Sequence, residues 1–175
     1  MSAAGDTAQV QIDDIDQTVT AYGVEIASGT YTIDNSGTIS ATAAGSTAIT
    51  AAATVVPSET VGQSAYVGVS TLFAGIYAYG LDAGGSDTVT GFSNSGSITA
   101  NASFVGSQNL IADGDTSATI YVDNSVYVTA YGVYVRSMQD DFDNSGTISA
   151  TASADLAVVA SASDASSEAS VTVYG

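Results

Sequence analysis

The residues of this chain that could do chemistry are nearly all carboxylates. Asp and Glu total 18 against a single base, Arg136, with no Lys, His or Cys, for a formal charge of −17. That inventory removes the serine–histidine and cysteine–histidine nucleophiles, the commonest zinc ligands, the phosphate-loop lysine and the Schiff-base lysine. One arginine is too little to hold a polyanion. Two acidic clusters remain, Asp13, Asp14 and Asp16, and Asp140, Asp141 and Asp143. Paired carboxylates can hydrolyse a glycosidic bond. Both clusters fall in expected turns with no aromatic cleft beside them, so no enzymatic activity is expected. Calcium takes oxygen ligands from loops, and these aspartates are its candidate ligands. Neither cluster has the EF-hand spacing, and Gly84-Gly85-Ser86-Asp87 only echoes a calcium nonapeptide. Solvated turn charge is the plain alternative, and no other cofactor is expected.

The same charge restricts partners. A chain this acidic repels phosphate backbones and has no basic patch, which excludes nucleic acid. Anionic membrane surfaces are disfavoured for the same reason. No apolar run is long enough to span a bilayer, so membrane insertion is not expected. Met1–Ala4 has neither the basic nor the apolar region of a signal peptide. With 45% hydrophobic and only 11% charged residues, the chain reads as folded rather than as a disordered acidic tail.

The elements that must carry these groups are set by internal repetition. Asp34–Ala43, DNSGTISATA, recurs letter for letter at Asp143–Ala152, and a looser copy, SNSGSITANA, lies at Ser93–Ala102. At the offset of the identical pair, Thr20–Val24 (TAYGV) also recurs as Thr129–Val133, and a third Ala-Tyr-Gly stands at Ala78–Gly80. The repetition defines one domain over 1–175, with modules at about 10–63, 64–116 and 117–175.

Within a module, apolar and polar residues alternate, so side chains point to opposite faces of a strand. Ile39, Ala41 and Ala43 share a face, as do Ile98, Ala100 and Ala102, and Ile148, Ala150 and Ala152. These turn inward, with Thr and Ser outward. The Asn-Ser-Gly sites are structural corners, at Asn35 and Gly37, Asn94 and Gly96, and Asn144 and Gly146: Asn closes the turn and Gly tolerates it. Tyr22, Tyr79, Tyr131 and Tyr174 mark a second set of corners at Tyr-Gly. Short strands between corners suit an all-β, single-stranded right-handed parallel β-helix of about 8–9 coils, each of roughly 20 residues. In it the asparagines lie along one edge without needing to touch. Val10–Ile12 and Thr18–Ala21 read as separate strands, Pro57–Thr60 as a turn, and Tyr66–Tyr79 as the thickest part of the core. The Ala-rich Ala48–Val56 is ambiguous between helix and strand.

Val171–Gly175 matches Val19–Gly23, which reads as a module boundary at the C-terminus. A β-helix without caps exposes strand edges. The chain is then either a piece of a longer array, flanked by repeats of the same chain, or a unit that stacks end to end in an open, filament-forming contact. The assembly ends would be Val10, Ile12 and Val19 at one end and Val171 and Val173 at the other. Outward Thr-x-Thr rows admit ice or mineral binding, but the rows lack one fixed spacing.

The Asn-Ser-Gly-Thr-Ile and Ala-Tyr-Gly-Val segments resemble the passenger regions of bacterial autotransporters and related surface adhesins, from about Thr18 to Gly175. The resemblance implies secretion to the cell surface or extracellular matrix, and roles in adhesion, aggregation or matrix. The expected function is a non-enzymatic extracellular structural protein that self-associates into a fibre. The alternative is an adhesin segment that binds glycans or cell-surface partners.

Overall fold

The computed structural model describes residues 1–5, 7–56, 62–85, 88–164 and 168–174. The expected Pro57–Thr60 turn, Ser86 and Asp87 of the calcium echo, and Gly175 lie outside the described residues. The strands, in chain order, are β1 (Ser2–Gly5), β2 (Thr7–Glu25), β3 (Thr30–Asn35), β4 (Thr38–Val55), β5 (Ser64–Ala83) and β6 (Thr88–Asn94). They continue as β7 (Ser97–Gly114), β8 (Ser117–Val135), β9 (Phe142–Asn144), β10 (Thr147–Asp164) and β11 (Glu168–Tyr174).

They stack into three sheets, in the orders β1-β4-β7-β10, β11-β8-β5-β2 and β3-β6-β9. Every pairing is parallel. The chain runs along the β2/β5/β8 sheet, crosses the short β3/β6/β9 sheet, returns along the β4/β7/β10 sheet and steps up one rung. This is a parallel β-solenoid.

The coil is far larger than the expected 20 residues. Columns link Asp13 to Ser70 across 57 residues, Ser64 to Ser117 across 53 and Asp113 to Ser163 across 50. The eight or nine small coils are therefore about three large ones. Expected corners inside β2 are kinks rather than strand ends. At Asp14 (φ 53°), directly below Thr71 (φ 62°), the inward parity slips by one residue while pairing resumes at Ile15 and Leu72. Val10–Ile12 and Thr18–Ala21 thus belong to one strand. At Tyr22-Gly23 the inward parity slips again, and glycine fits there because a Cβ would press on the Gly80 carbonyl and on Ile39. Ala48–Val55 lies in β4, which removes the helix alternative.

Parity places the core as expected in the first two repeats. In the third, Ile148 is half-buried while Ala150 and Ala152, expected inside, are exposed on the end coil. Ile98, Leu81, Val89, Phe92 and Ala83 form a buried cluster that Ile39 and Ile148 pack against. Ala41, Ala43, Ala74, Ile76, Ala78, Ala100, Ala102 and Phe104 form a second. The third gathers Val10, Ile49, Val67, Val69, Leu110, Ile120 and Val122 with several alanines. Alanine dominates because two long sheets face each other closely, and only narrow side chains fit between them. One polar pair crosses this apolar space. The Gln108 amide donates to Asn124 Oδ1 at 2.8 Å, and Gln108 Oε1 has no hydrogen-bond partner among the described residues. In the coils below and above, Gln108 stacks on Ile49 and under Val158.

Candidate functional site

The corners build a continuous polar ladder. Asn35 Nδ2 donates to Asn94 Oδ1 at 2.7 Å, and Asn94 Nδ2 donates to Asn144 Oδ1 at 2.6 Å. Asn94 is 1% exposed and Asn35 8%. The backbone repeats the pattern: Ser95 and Gly96 amides donate to the Asn35 carbonyl, and Ser145 and Gly146 amides to that of Asn94. The corner asparagines therefore touch, where the smaller coil would have kept them apart. Gly96 and Gly146 fit because the glycine corner beneath each leaves no room for a Cβ.

Beside this ladder runs an aromatic one. Tyr22 stacks on Tyr79 and Tyr79 on Tyr131, each with ring centroids 5.2 Å apart. Tyr174 is not its fourth member. It pairs with Asp123, one kink away, and its ring meets Tyr121 at 5.8 Å. The match of Val171–Gly175 to Val19–Gly23 is overturned by the register, which sets Val171 on Ile120 and Val173 on Val122. A further pair, Phe92 on Phe142 at 4.4 Å, stands over Ile33. The common column at an offset near 50 residues was the signal for it.

Burial within the stack raises the Tyr22 phenol above its ordinary value, helped by Glu25 and Asp82. The Tyr79 phenol is raised first by burial, then by Tyr131, Tyr22, Asp82 and Tyr134. A raised phenol pKa contributes stability that is whole below the unfolded value and is lost as pH rises through the folded one. An absorbance titration is expected to show a late-ionising phase beyond the ordinary tyrosine range. Tyr79→Phe should reduce that phase to the part contributed by Tyr22, and an unchanged titration curve would contradict the burial of the Tyr79 phenol. Asp13 is held below the usual carboxylate value by the Ser70 hydroxyl and then by Gln11.

The carboxylates are dispersed. Asp140, Asp141 and Asp143 share a shallow recess with Asp34, and Asp14 and Asp16 border another with Phe73. Among the described residues, no three His, Cys, Asp or Glu are grouped to hold a metal ion. Columns separate like charges: Ser93 lies between Asp34 and Asp143, and Ser70 lies on Asp13. Outward hydroxyls stack in rungs, as in Thr38, Ser97 and Thr147, but Asn101 and Val105 interrupt the array.

Two faces are left. Among the described residues, β1, β2 and β3 pair on one side only at one end, β1 covering Ala52–Val55 of β4, and β9, β10 and β11 do so at the other. Thr20–Val24 and Asp34–Ala43 lie on the first face and their identical copies, Thr129–Val133 and Asp143–Ala152, on the second. The second face is the more apolar. Ala150, Ala152 and Ala154 are exposed there, although their equivalents Ala100 and Ala102 are buried one coil below. Of the expected assembly residues, Val10 is buried, Ile12 and Val19 are half-buried, and Val171 and Val173 are 45% and 48% exposed. Compared with family models, curated proteins and solved structures, the chain gives no significant match.

Proposed function

We propose that the chain is a non-enzymatic structural β-solenoid that joins head to tail with further copies into an extracellular fibre or matrix. The observation that carries this reading is that the two end faces carry identical segments, TAYGV at Thr20–Val24 and Thr129–Val133 and DNSGTISATA at Asp34–Ala43 and Asp143–Ala152. A second copy set on β8, β9 and β10 would place Tyr22 on Tyr131, Asn35 on Asn144, Thr38 on Thr147 and Ile39 on Ile148. Each repeats a contact already made between coils. The open Asn144 and Gly146 carbonyls would receive the incoming corner amides, and the exposed alanines would be covered. The resemblance to autotransporter passengers and adhesins supports the surface location.

Electron microscopy and sedimentation across a concentration series test it. Filaments one solenoid wide are expected above a critical concentration, and monomers at every concentration would sink the idea. Two contacts at the joint are unfavourable: Asp143 would meet an incoming Asp34 with no serine between them, and Asp123 an incoming Asp13. Directly opposed like charges cost about 0.2–1 kcal/mol. Asp143→Asn is therefore expected to lower the critical concentration by about two- to fivefold.

A glycan-binding adhesin is the second reading. It is favoured by Tyr66, Tyr77 and Tyr134, whose rings lie over Gly68, Gly75 and Gly84 on the outer face of one sheet. The stacked Tyr22, Tyr79 and Tyr131 count against it, because they spend their ring faces on each other. A glycan-array signal from monomers that do not polymerise would favour it.

A further inference from the structure

We propose that β11 is a removable plug, and that copies join by exchanging β11 for the first strand segment of the incoming copy. The inference rests on the head-to-tail reading above and adds its mechanism. In the register that puts Asn35 on Asn144, the incoming Thr7–Asp13 falls on Ser117–Asp123 of the receiving copy. That ledge is already taken, because β11 pairs with it from Glu168 to Tyr174. Neighbouring strands stand about 4.8 Å apart, so two segments cannot share one rung.

The two segments are interchangeable on the ledge. Thr7–Ile12 pairs with Ser64–Val69, which in turn pairs with Ser117–Val122, so both segments belong to one column. Over Ala118, Ile120 and Val122, β11 sets Ala169, Val171 and Val173. The incoming copy would set Ala8, Val10 and Ile12 there: the same small, β-branched, β-branched series. Exchange conserves the ladder hydrogen bonds and the apolar contacts, and needs no new chemistry.

Exposure decides which segment yields. Ala8 and Val10 are 1% and 5% exposed, sealed into the core beneath β5. Val171 and Val173 are 45% and 48% exposed, and β11 is held from one side only. Edge segments with few buried contacts open at the lowest cost. So β11 lifts and the buried segment of the newcomer replaces it. A free chain is thus capped at its receiving face, and joining requires β11 to open. On the incoming copy β1 must also leave Ala52–Val55, where Ser161–Asp164 of the receiving copy would pair.

The test uses the full chain with Val122→Cys and Val173→Cys, a stacked pair in register in a sequence with no other cysteine. Strand neighbours lie within disulfide reach. The reduced form should assemble as the parent does. The oxidised form should stay monomeric at ten times the parent's critical concentration, and reductant should restore assembly. A second variant, Val171→Asp with Val173→Asp, weakens the plug alone and should shorten the lag about tenfold. Equal assembly of the oxidised and reduced forms would overturn the exchange and leave head-to-tail joining intact. If the parent and every variant remain monomeric, the head-to-tail reading itself falls.

Discussion

Phe104→Ala is expected to lower the stability by about 3–5 kcal/mol, the range for emptying a fully buried aromatic site. Phe104 is among the largest side chains with almost no exposure. It stacks above Gly45 and below Ala154, so a small residue lies on either side of it along the column. A Cβ on Gly106 would also collide with its ring. The neighbours in its cluster are mainly alanines with Ile76. An alanine has no rotamer with which to fill a hole, and the paired backbones cannot close over it. The cavity should therefore persist, which places the cost at the upper end for such changes. Urea denaturation followed by circular dichroism measures it. A loss below about 1 kcal/mol would mean that the two sheets can collapse on each other, against the ladder geometry.

The second large effect concerns the asparagine ladder. Asn94→Leu removes the acceptor for Asn35 and the donor to Asn144 together. It also leaves the Asn35 amide, nearly buried, with only long contacts to the Gly37 and Ser97 carbonyls. Two lost hydrogen bonds and one poorly satisfied buried group come to about 2–3 kcal/mol. Asn144→Leu breaks one ladder bond and a long contact to the Gly146 carbonyl, and leaves the Asn94 amide on a long contact to the Thr147 carbonyl. It should therefore cost less, about 1–2 kcal/mol. The gradient between the two is the diagnostic. Were each asparagine only closing its own turn, the two substitutions would cost the same, and the ladder would carry no energy between coils. In a solenoid whose coils touch only their neighbours, that energy is what makes the coils unfold together.

The head-to-tail proposal draws on the same columns. Every contact it invokes, ring on ring or amide on amide, is one that the solenoid already makes twice within itself. The exceptions are the unfavourable meetings of Asp143 with Asp34 and of Asp123 with Asp13. The first follows from a serine that the middle coil supplies and the joint does not.

Much of the fold was legible in the sequence. Alternation alone put Ile39, Ile98 and Ile148 inward, and the Asn-Ser-Gly triplets marked the three corners that end β3, β6 and β9. The coil length was not legible. A residue such as Asp14 or Gly23 reads as a turn in either case, and the local sequence does not say whether pairing resumes beyond it. The kinks keep their ladder partners in the next coil, so β2 continues to Glu25 where short strands were expected. Tyr174 was misplaced for the same reason: Val-Thr-Val-Tyr-Gly looks like Val-Thr-Ala-Tyr-Gly, but only the column tells which segment lies beneath it. Phe92 on Phe142 was missed although each stands two residues before its Asn-Ser-Gly corner, where the first repeat has Ile33; the Gln108–Asn124 pair was missed because it belongs to no repeated motif.

The sequence by itself determined which side of each strand meets the core, because a period of two residues is a local property of the backbone. It also settled the available chemistry: carboxylates, hydroxyls and aromatic rings around a single arginine. Which strand lies on which was decided only by the tertiary structure. That choice depends on pairing residues 50 to 59 apart, and a short motif carries no information about so distant a partner. Coil size, the contact between asparagines and the ledge under β11 all follow from that long-range register.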